Sequence, residues 1–264
     1  MPEREFMGFD ENLFAGRRVI VTGAGRGIGA AVARAFLGCG ATVVAHAGRS
    51  DAFVDRDLTP GLSADALARL TVLSADLAEP GSGERLAAAV LESGAVVDVL
   101  VNNAGTMGGR IPAADTPSAY DTVLDLNIRS TVALTAALLP ALRAAEGASI
   151  VNTVSISART GGSAGSSLYS GAKAFVSTWS RALARELAPD GIRVNAVSPG
   201  TIATDFHQRY SSAEKLKATA EAIPLKRLGT PEDCAPAYLF LAANGLSGYI
   251  TGQVIEVNGG QFMG

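Results

Sequence analysis

Short β-branched runs alternate with alanine- and leucine-rich runs along almost the whole chain. The apolar runs Arg18–Thr22, Thr42–His46, Thr71–Ala75, Val97–Asn102, Ser149–Val154, Arg193–Val197 and Gln253–Val257 predict strands. Between them Ile28–Leu37, Glu84–Glu92, Ser118–Ala145, Leu168–Ala188 and Pro231–Ala243 have helical composition. Strands that alternate with helices read as right-handed βαβ units around a parallel sheet covered on both faces. The expected fold is α/β: a Rossmann-type, doubly wound parallel sheet of about seven strands.

No Pro/Gly/Ser-rich linker and no internal repeat divides the chain, so one domain is expected over residues 14–264. Residues 1–13 read as a mobile leader, with Phe6, Phe9 and Phe14 available to pin it to the body. The stretch Asp51–Leu70 contains Pro60-Gly61 and only a short helical run near Ala64, so this crossover helix is expected to be truncated.

Composition narrows the class. The 264 residues suit a single α/β domain, and 48% hydrophobic residues are enough for a sizeable core. A formal charge of -3 gives no basic field, which disfavours nucleic acid or an anionic membrane as a partner. Cys39 and Cys234 make no disulfide framework and no zinc spacing, and packing is the expected use of both. The charged segment Met1–Glu11 has no apolar signal region, and Val132–Leu142 is too short to span a bilayer. A soluble, cytoplasmic protein is expected, with no metal site.

The first strand runs into Thr22-Gly23-Ala24-Gly25-Arg26-Gly27-Ile28-Gly29. Glycines let the backbone turn sharply and let a pyrophosphate approach the free N–H groups of the next helix. A glycine run alone marks only a tight turn, but here it follows a strand and opens a helix, so it predicts dinucleotide binding. At the end of the second strand, the position expected to carry an acid for a ribose 2′-hydroxyl is Ala47. Arg49 and Arg26 are the candidate ligands of a 2′-phosphate, or simply solvated charges. The cofactor expected is NADP(H), with NAD(H) as the alternative.

Further along, Asp76-Leu77 follows the third strand, where the aspartate caps either an adenine or an ordinary turn. Asn102-Asn103-Ala104-Gly105 closes the fourth strand, as a scaffold turn or a cofactor wall. Asn127 interrupts a helix rich in Leu and Ala, either as a satisfied core amide or with a specific task. Tyr169 and Lys173 are four apart, hence on one helical face. An ammonium beside a phenol is expected to pull the tyrosine pKa down, making it a proton exchanger near neutral pH. Ser155, at an adjacent strand end, is placed to polarise the same oxygen.

In these residues the chain resembles the short-chain dehydrogenase/reductase family, in its compact single-domain branch. The matching positions run from Thr22-Gly23 and Gly27-Ile28-Gly29 through Asp76, Asn102–Gly105, Asn127, Ser155, Tyr169 and Lys173. They continue through Ser198-Pro199-Gly200, Thr204, Pro224–Asp233 and Ile250–Gln253. The resemblance implies a nicotinamide cofactor, with Tyr169 as general acid/base and Lys173 on the nicotinamide ribose. It places Ser155 on the reacting oxygen and gives Asn127 a water that links Lys173 to solvent. Gly23, Asn103, Ala104 and Gly105 would lie along the cofactor, and Pro199, Gly200, Ile202 and Thr204 around its carboxamide. The gap Ile156–Leu168 is rich in Gly and Ser and one residue longer than in many relatives.

The resulting expectation is an NAD(P)-dependent oxidoreductase that interconverts a ketone or aldehyde and an alcohol. A 3-oxoacyl thioester and a sugar or polyol are the expected small-molecule substrate classes. Specificity is expected in Met107–Asp115, Ile156–Gly165 and Asp205–Ile223, and Arg159 and His207 are further candidates. A homo-oligomer is expected from the apolar helices, and the resemblance implies a homotetramer as its simplest form. The alternative is a dinucleotide-binding regulatory protein on the same fold, for which a proton-relay constellation has no use. An epimerase or dehydratase is less well matched, because such relatives usually carry a larger C-terminal substrate domain.

Overall fold

A computed structural model describes residues 8–264. In chain order it comprises β1 (Arg18–Thr22), α1 (Gly27–Gly38), β2 (Thr42–His46), α2 (Ala64–Ala68), β3 (Leu70–Leu73), α3 (Ser82–Glu92) and β4 (Val99–Asn102). There follow α4 (Thr116–Leu124), α5 (Ser130–Arg143), β5 (Ser149–Thr153), α6 (Ser157–Thr160), α7 (Ser167–Leu187) and β6 (Arg193–Pro199). The C-terminal part holds α8 (Asp205–Tyr210), α9 (Ala213–Ala222), α10 (Pro231–Ala242), α11 (Asn244–Ser247) and β7 (Val254–Val257).

All seven strands are parallel, in the order β3-β2-β1-β4-β5-β6-β7. The chain therefore leaves β1 in one direction to β2 and β3, and in the other to β4. This reversal opens a crevice beyond the carboxyl ends of β1 and β4, the place where such sheets bind ligands. Successive side chains of a strand face opposite ways. Val19 and Val21 accordingly pack with α1 and α10, whereas Ile20 packs with α3, α5 and α7.

The predicted strands and long helices are present, with ends displaced by a few residues. One difference has chemical weight. The single helix expected over Ser118–Ala145 is divided by a π-helical turn at Asp125–Arg129. The Asn127 amide Nδ2 donates to Val123 O at 2.7 Å and to Thr106 O at 2.8 Å. The helix backbone widens around that side chain, as such turns do at functional sites. The stretch Ala113–Arg143 is long and apolar enough, by length and composition, to cross a membrane. In the fold it packs on α3 and α7, with the polar side chain of Asn127 buried mid-way along it.

The crossover after β2 is indeed irregular: a π turn at Val54–Leu58 and the five-residue α2. Phe9 and Leu13 pack on the α1 face of the core, and the Phe14 ring meets Phe36 edge-on at 4.8 Å. Phe6 lies outside the described residues.

Candidate active site

A cleft of about 940 Å³ follows the carboxyl edge of the sheet. Its cofactor end starts at the glycine loop. Gly23 and Gly27 have φ of 66° and 56°, which side-chain-bearing residues rarely adopt. A Cβ on Gly23 would lie 3.0 Å from Ala104 Cα, and one on Gly25 would lie 2.8 Å from Ala47 O. The loop thus sits against the β4 and β2 ends without side chains between. At the N-terminus of α1 no side chain caps the helix and no acid occupies the first turn, so its N–H groups are free for an anion. This cradle fits a dinucleotide pyrophosphate.

Most residues singled out from the sequence converge on this cleft. Gly23, Arg26, Gly27 and Ile28 line it from the loop, Arg49, Asp76 and Leu77 from the β2 and β3 ends, and Asn103, Ala104 and Gly105 from β4. Ser155, Tyr169, Lys173, Pro199, Gly200, Ile202 and Thr204 complete the wall. Two lie behind it. Gly29 packs under the loop, where a Cβ would stand 2.2 Å from Gly23 O, so its task is close packing. Asn127 is buried, and its Oδ1 accepts the Thr106 N–H at 3.2 Å. That amide is spent on holding the chain after β4.

The asparagine turn is a scaffold, and its Asn103, Ala104 and Gly105 also line the cleft. Thr22 Oγ1 accepts the N–H groups of Asn103 and Ala104 at 2.9 and 3.0 Å, fixing the turn beside the glycine loop. Asn102 Nδ2 donates to Asn152 Oδ1 at 2.9 Å and to Thr135 Oγ1 at 3.0 Å, joining β4, β5 and α5. Asp76 Oδ1 accepts the Ala78 N–H at 3.0 Å, a turn role, while its other oxygen pairs with Arg49 Nε at 2.8 Å.

The arginines expected to meet a 2′-phosphate are therefore not unattached. Arg26 is 3.6 Å from Asp205 and stacks on Phe53, with its guanidinium carbon 4.6 Å from the ring centroid. Arg56 covers the same ring at 4.8 Å and bonds Asp205 at 2.8 Å. Neither Phe53 nor Arg56 was evident in the sequence, and Asp205 was read only as the start of a specificity region, because only the fold brings the loop after β2 to the start of α8. His46 was missed as well. Its Nδ1 accepts the Gly23 N–H at 3.2 Å and its Nε2–H donates to Ala75 O at 2.9 Å, the arrangement of a neutral ring. Burial, the largest influence, lowers its pKa and favours that neutral form. The sequence signal was a histidine closing an apolar strand.

At the reacting end, Lys173 is buried and its Nζ donates to Thr153 O at 2.9 Å. Burial pulls its pKa down to about 8. The ammonium lies 5.8 Å from the Tyr169 ring centroid. Burial pushes the phenol up to about 12, against a lowering contribution from the Ser155 hydroxyl. The expectation of a depressed tyrosine pKa is corrected here: desolvation raises the phenol, and the one group that lowers it is the Ser155 hydroxyl rather than Lys173. A Cβ on Gly105 would come within 2.7 Å of Asn127 Oδ1 and 3.2 Å of Lys173 Nζ, so only glycine fits between them.

A family model described as Enoyl-(Acyl carrier protein) reductase, of the short-chain dehydrogenase type, matches residues 23–261. This span holds the glycine loop, the asparagine turn and the Ser155, Tyr169 and Lys173 constellation. The chain is a short-chain dehydrogenase/reductase. It is 35% identical over 248 residues to the 3-oxoacyl-[acyl-carrier-protein] reductase of Synechocystis sp., covering 92% of this chain and 96% of that one. It is 37% identical over 258 residues to the L-rhamnose 1-dehydrogenase (NAD(P)(+)) of Azotobacter vinelandii, covering 95% and 98%. A solved short-chain dehydrogenase/reductase from Brucella melitensis, titled glucose/ribitol dehydrogenase, superposes with a TM-score of 0.86 at 31% identity. That likeness covers 97% of this chain and 100% of the other. As a member of the family, the protein is an NAD(P)-dependent oxidoreductase.

Of the remaining candidates, His207 lines the cleft, whereas Arg159 lies outside its lining with its guanidinium carbon 5.2 Å from the Phe262 ring centroid. The segment Asp205–Ile223, read only as a specificity region, folds as α8 and α9. Ser212 caps α9 by accepting the Lys215 N–H at 3.2 Å.

Proposed function

We propose that this short-chain dehydrogenase/reductase interconverts a small carbonyl compound and its alcohol, with NADP(H) preferred. The observation that carries the reading is the convergence of Ser155, Tyr169 and Lys173 on one cleft wall beside the glycine-loop cradle. The bound nicotinamide supplies or accepts hydride. Tyr169 holds the proton that the carbonyl oxygen takes up, and Ser155 steadies that oxygen by a hydrogen bond. Lys173 sits where a nicotinamide ribose is expected, its remaining N–H groups directed by the Thr153 carbonyl bond. Asn127 fixes Thr106, hence the wall after β4, and Gly105 leaves Lys173 access to the cleft.

The NADP(H) preference is supported by Ala47, which offers no carboxylate to a ribose 2′-hydroxyl, and by the exposed Arg49 next to it. The substrate classes remain those of the relatives, an oxoacyl thioester or a sugar. A small-molecule substrate acted on in the cytoplasm by a homo-oligomer completes the reading. The two buried free thiols are compatible with a reducing compartment. The test is a panel of oxoacyl thioesters, aldoses, ketoses and polyols, followed at the nicotinamide absorbance with both cofactors. A protein that binds NADPH yet turns over no carbonyl or alcohol would instead be the regulatory alternative.

A further inference from the structure

Beyond the reacting residues, the cleft is walled by one part of each of three segments: the chain after β4, the loop around α6, and α8 with α9. Arg110, Ser163 and Lys215 come from these in turn, and all line the cleft. The Arg110 Nε donates to Tyr210 O at 3.0 Å, and NH1 donates to the Ser163 hydroxyl and to Ala164 O. Its NH2 reaches only Ser211 Oγ, at 3.4 Å. The Lys215 Nζ reaches the same Ser163 hydroxyl at 3.4 Å. Two cations thus point at one neutral oxygen.

Among the described residues neither cation has a carboxylate partner, although nine other arginines do. The carboxylates lining the cleft are Asp76 and Asp205, and both are engaged by arginines at the cofactor end. His207 stands beside the pair without a hydrogen bond among the described residues. Burial, then Arg110 and Lys215, push it down to about 4, so its imidazole is neutral and offers one donor without further charge. Holding two like charges at a shared hydroxyl is unfavourable, even where water reaches both, and is relieved by an anion placed between them. The forked guanidinium matches a planar carboxylate in particular. The surrounding wall is polar: it carries the Ser157 hydroxyl, whose one partner among the described residues is the Ser155 hydroxyl, and the Thr106 hydroxyl, which is shared with Tyr210, so a polyhydroxylated body can exchange for these bonds.

We propose that Arg110 and Lys215, with His207 as a neutral donor, form a carboxylate subsite, and that the substrate is an oxo acid, most simply a sugar acid. The proposal rests on the carbonyl-reducing reading above and narrows it. The connection to the reacting end is an aromatic chain: Tyr169 lies 5.7 Å from Phe206, and Phe206 lies 5.1 Å from Tyr210, between ring centroids. Tyr210 is the residue whose carbonyl Arg110 binds.

The test uses matched pairs that exchange a carboxylate for a hydroxymethyl group: pyruvate with hydroxyacetone, succinic semialdehyde with 4-hydroxybutanal, and 5-oxogluconate with L-sorbose. L-sorbose 6-phosphate serves as the phosphate arm. Two readouts are taken on the NADPH-loaded protein, melting temperature and kcat/KM. At least one acid should raise the melting temperature where its neutral partner does not. Its kcat/KM should exceed the neutral partner's by about tenfold or more, the worth of one hydrogen bond to a charged group. Lys215→Met, on an exposed side chain, should remove most of that ratio chiefly through KM, and Arg110→Met should do the same. Lys217→Met, on the same helix but outside the cleft lining, should leave the ratio as it is. Neutral members equal to the acids, or a ratio untouched by Lys215→Met, overturns the subsite. A phosphate preferred over every acid overturns the carboxylate assignment. Acids that shift the melting temperature, lose that shift in Lys215→Met and are never reduced would uphold the subsite and overturn the carbonyl reading instead.

Discussion

Arg49 is bound to Asp76: the Nε lies 2.8 Å from a carboxylate oxygen, although the arginine side chain is 77% exposed. A 2′-phosphate therefore competes with an existing partner for this guanidinium. Exposed ion pairs contribute only about 0–1 kcal/mol, so a bound phosphate can recruit the arginine at little cost. We predict that NADPH is preferred over NADH, and that Arg49→Ala narrows the preference by roughly tenfold, mainly in KM. Ala47→Asp should reverse it by like-charge repulsion. Values of kcat/KM for both cofactors decide this, and a wild type that favours NADH overturns the preference.

Tyr169→Phe should retain cofactor binding and lose turnover by about 100- to 10,000-fold, the usual worth of general acid/base catalysis. A phenol held near about 12 is protonated at neutral pH. Carbonyl reduction, which consumes that proton, should then vary little across neutral pH, whereas alcohol oxidation, which needs the phenolate, should rise with pH. More than a tenth of wild-type kcat in the phenylalanine variant would remove Tyr169 from this role.

Lys173 makes a stability prediction with a definite sign. Its pKa falls from 10.5 to about 8 on folding because burial disfavours the ammonium. Between those values the unfolded chain binds the extra proton, so this group increases stability as pH rises from about 8 toward 10. Below about 8 both states are protonated and the full burial cost is present. Denaturation midpoints of the cofactor-free protein at pH 7.5, 8.5 and 9.5 should rise less steeply, or fall more steeply, for Lys173→Met than for wild type. Parallel pH dependences in the two proteins would contradict it.

His46 holds the glycine loop to the end of β3 through two bonds on one neutral ring. Replacement by alanine leaves the Gly23 N–H and the Ala75 carbonyl, both part-buried on the cleft wall, without those partners, at a cost of about 1 kcal/mol for each lost hydrogen bond. Lower stability together with about tenfold weaker NADPH binding is expected, read by urea denaturation and by nicotinamide fluorescence titration. Full affinity in a folded His46→Ala variant would show that the loop is positioned without it.

Assembly should cover α4 and α7. Tyr120 and Phe175 on these helices are 52% and 44% exposed, and the long helical stretch that contains α4 is only 39% buried over its most apolar part. Exposed apolar surface of this kind marks an interface, and a homo-oligomer with isologous contacts is expected. Light scattering should give a multiple of the 26.9 kDa chain mass, and Phe175→Glu should reduce it. A monomer at micromolar concentration would count against this.

The alternation of β-branched and alanine-rich runs carried the parallel sheet, because strand and helix periodicities are local properties. The glycine loop and the Tyr169–Lys173 spacing were legible for the same reason: each works within one turn of backbone or one helical face. What the sequence could not supply were partners and depth. Whether the Tyr169 pKa falls depended on how much water the fold removes, and desolvation raises it against the Ser155 hydroxyl. Whether Arg26 and Arg49 wait for a phosphate depended on Asp205 and Asp76, which arrive from distant segments. Asn127 gained its partner Thr106 only when the chain after β4 folded back on the π turn, and Arg110 met Lys215 at Ser163 only where two loops and α9 come together. Those relationships are set by long-range packing and by the distances it imposes on charge, and no local pattern encodes them.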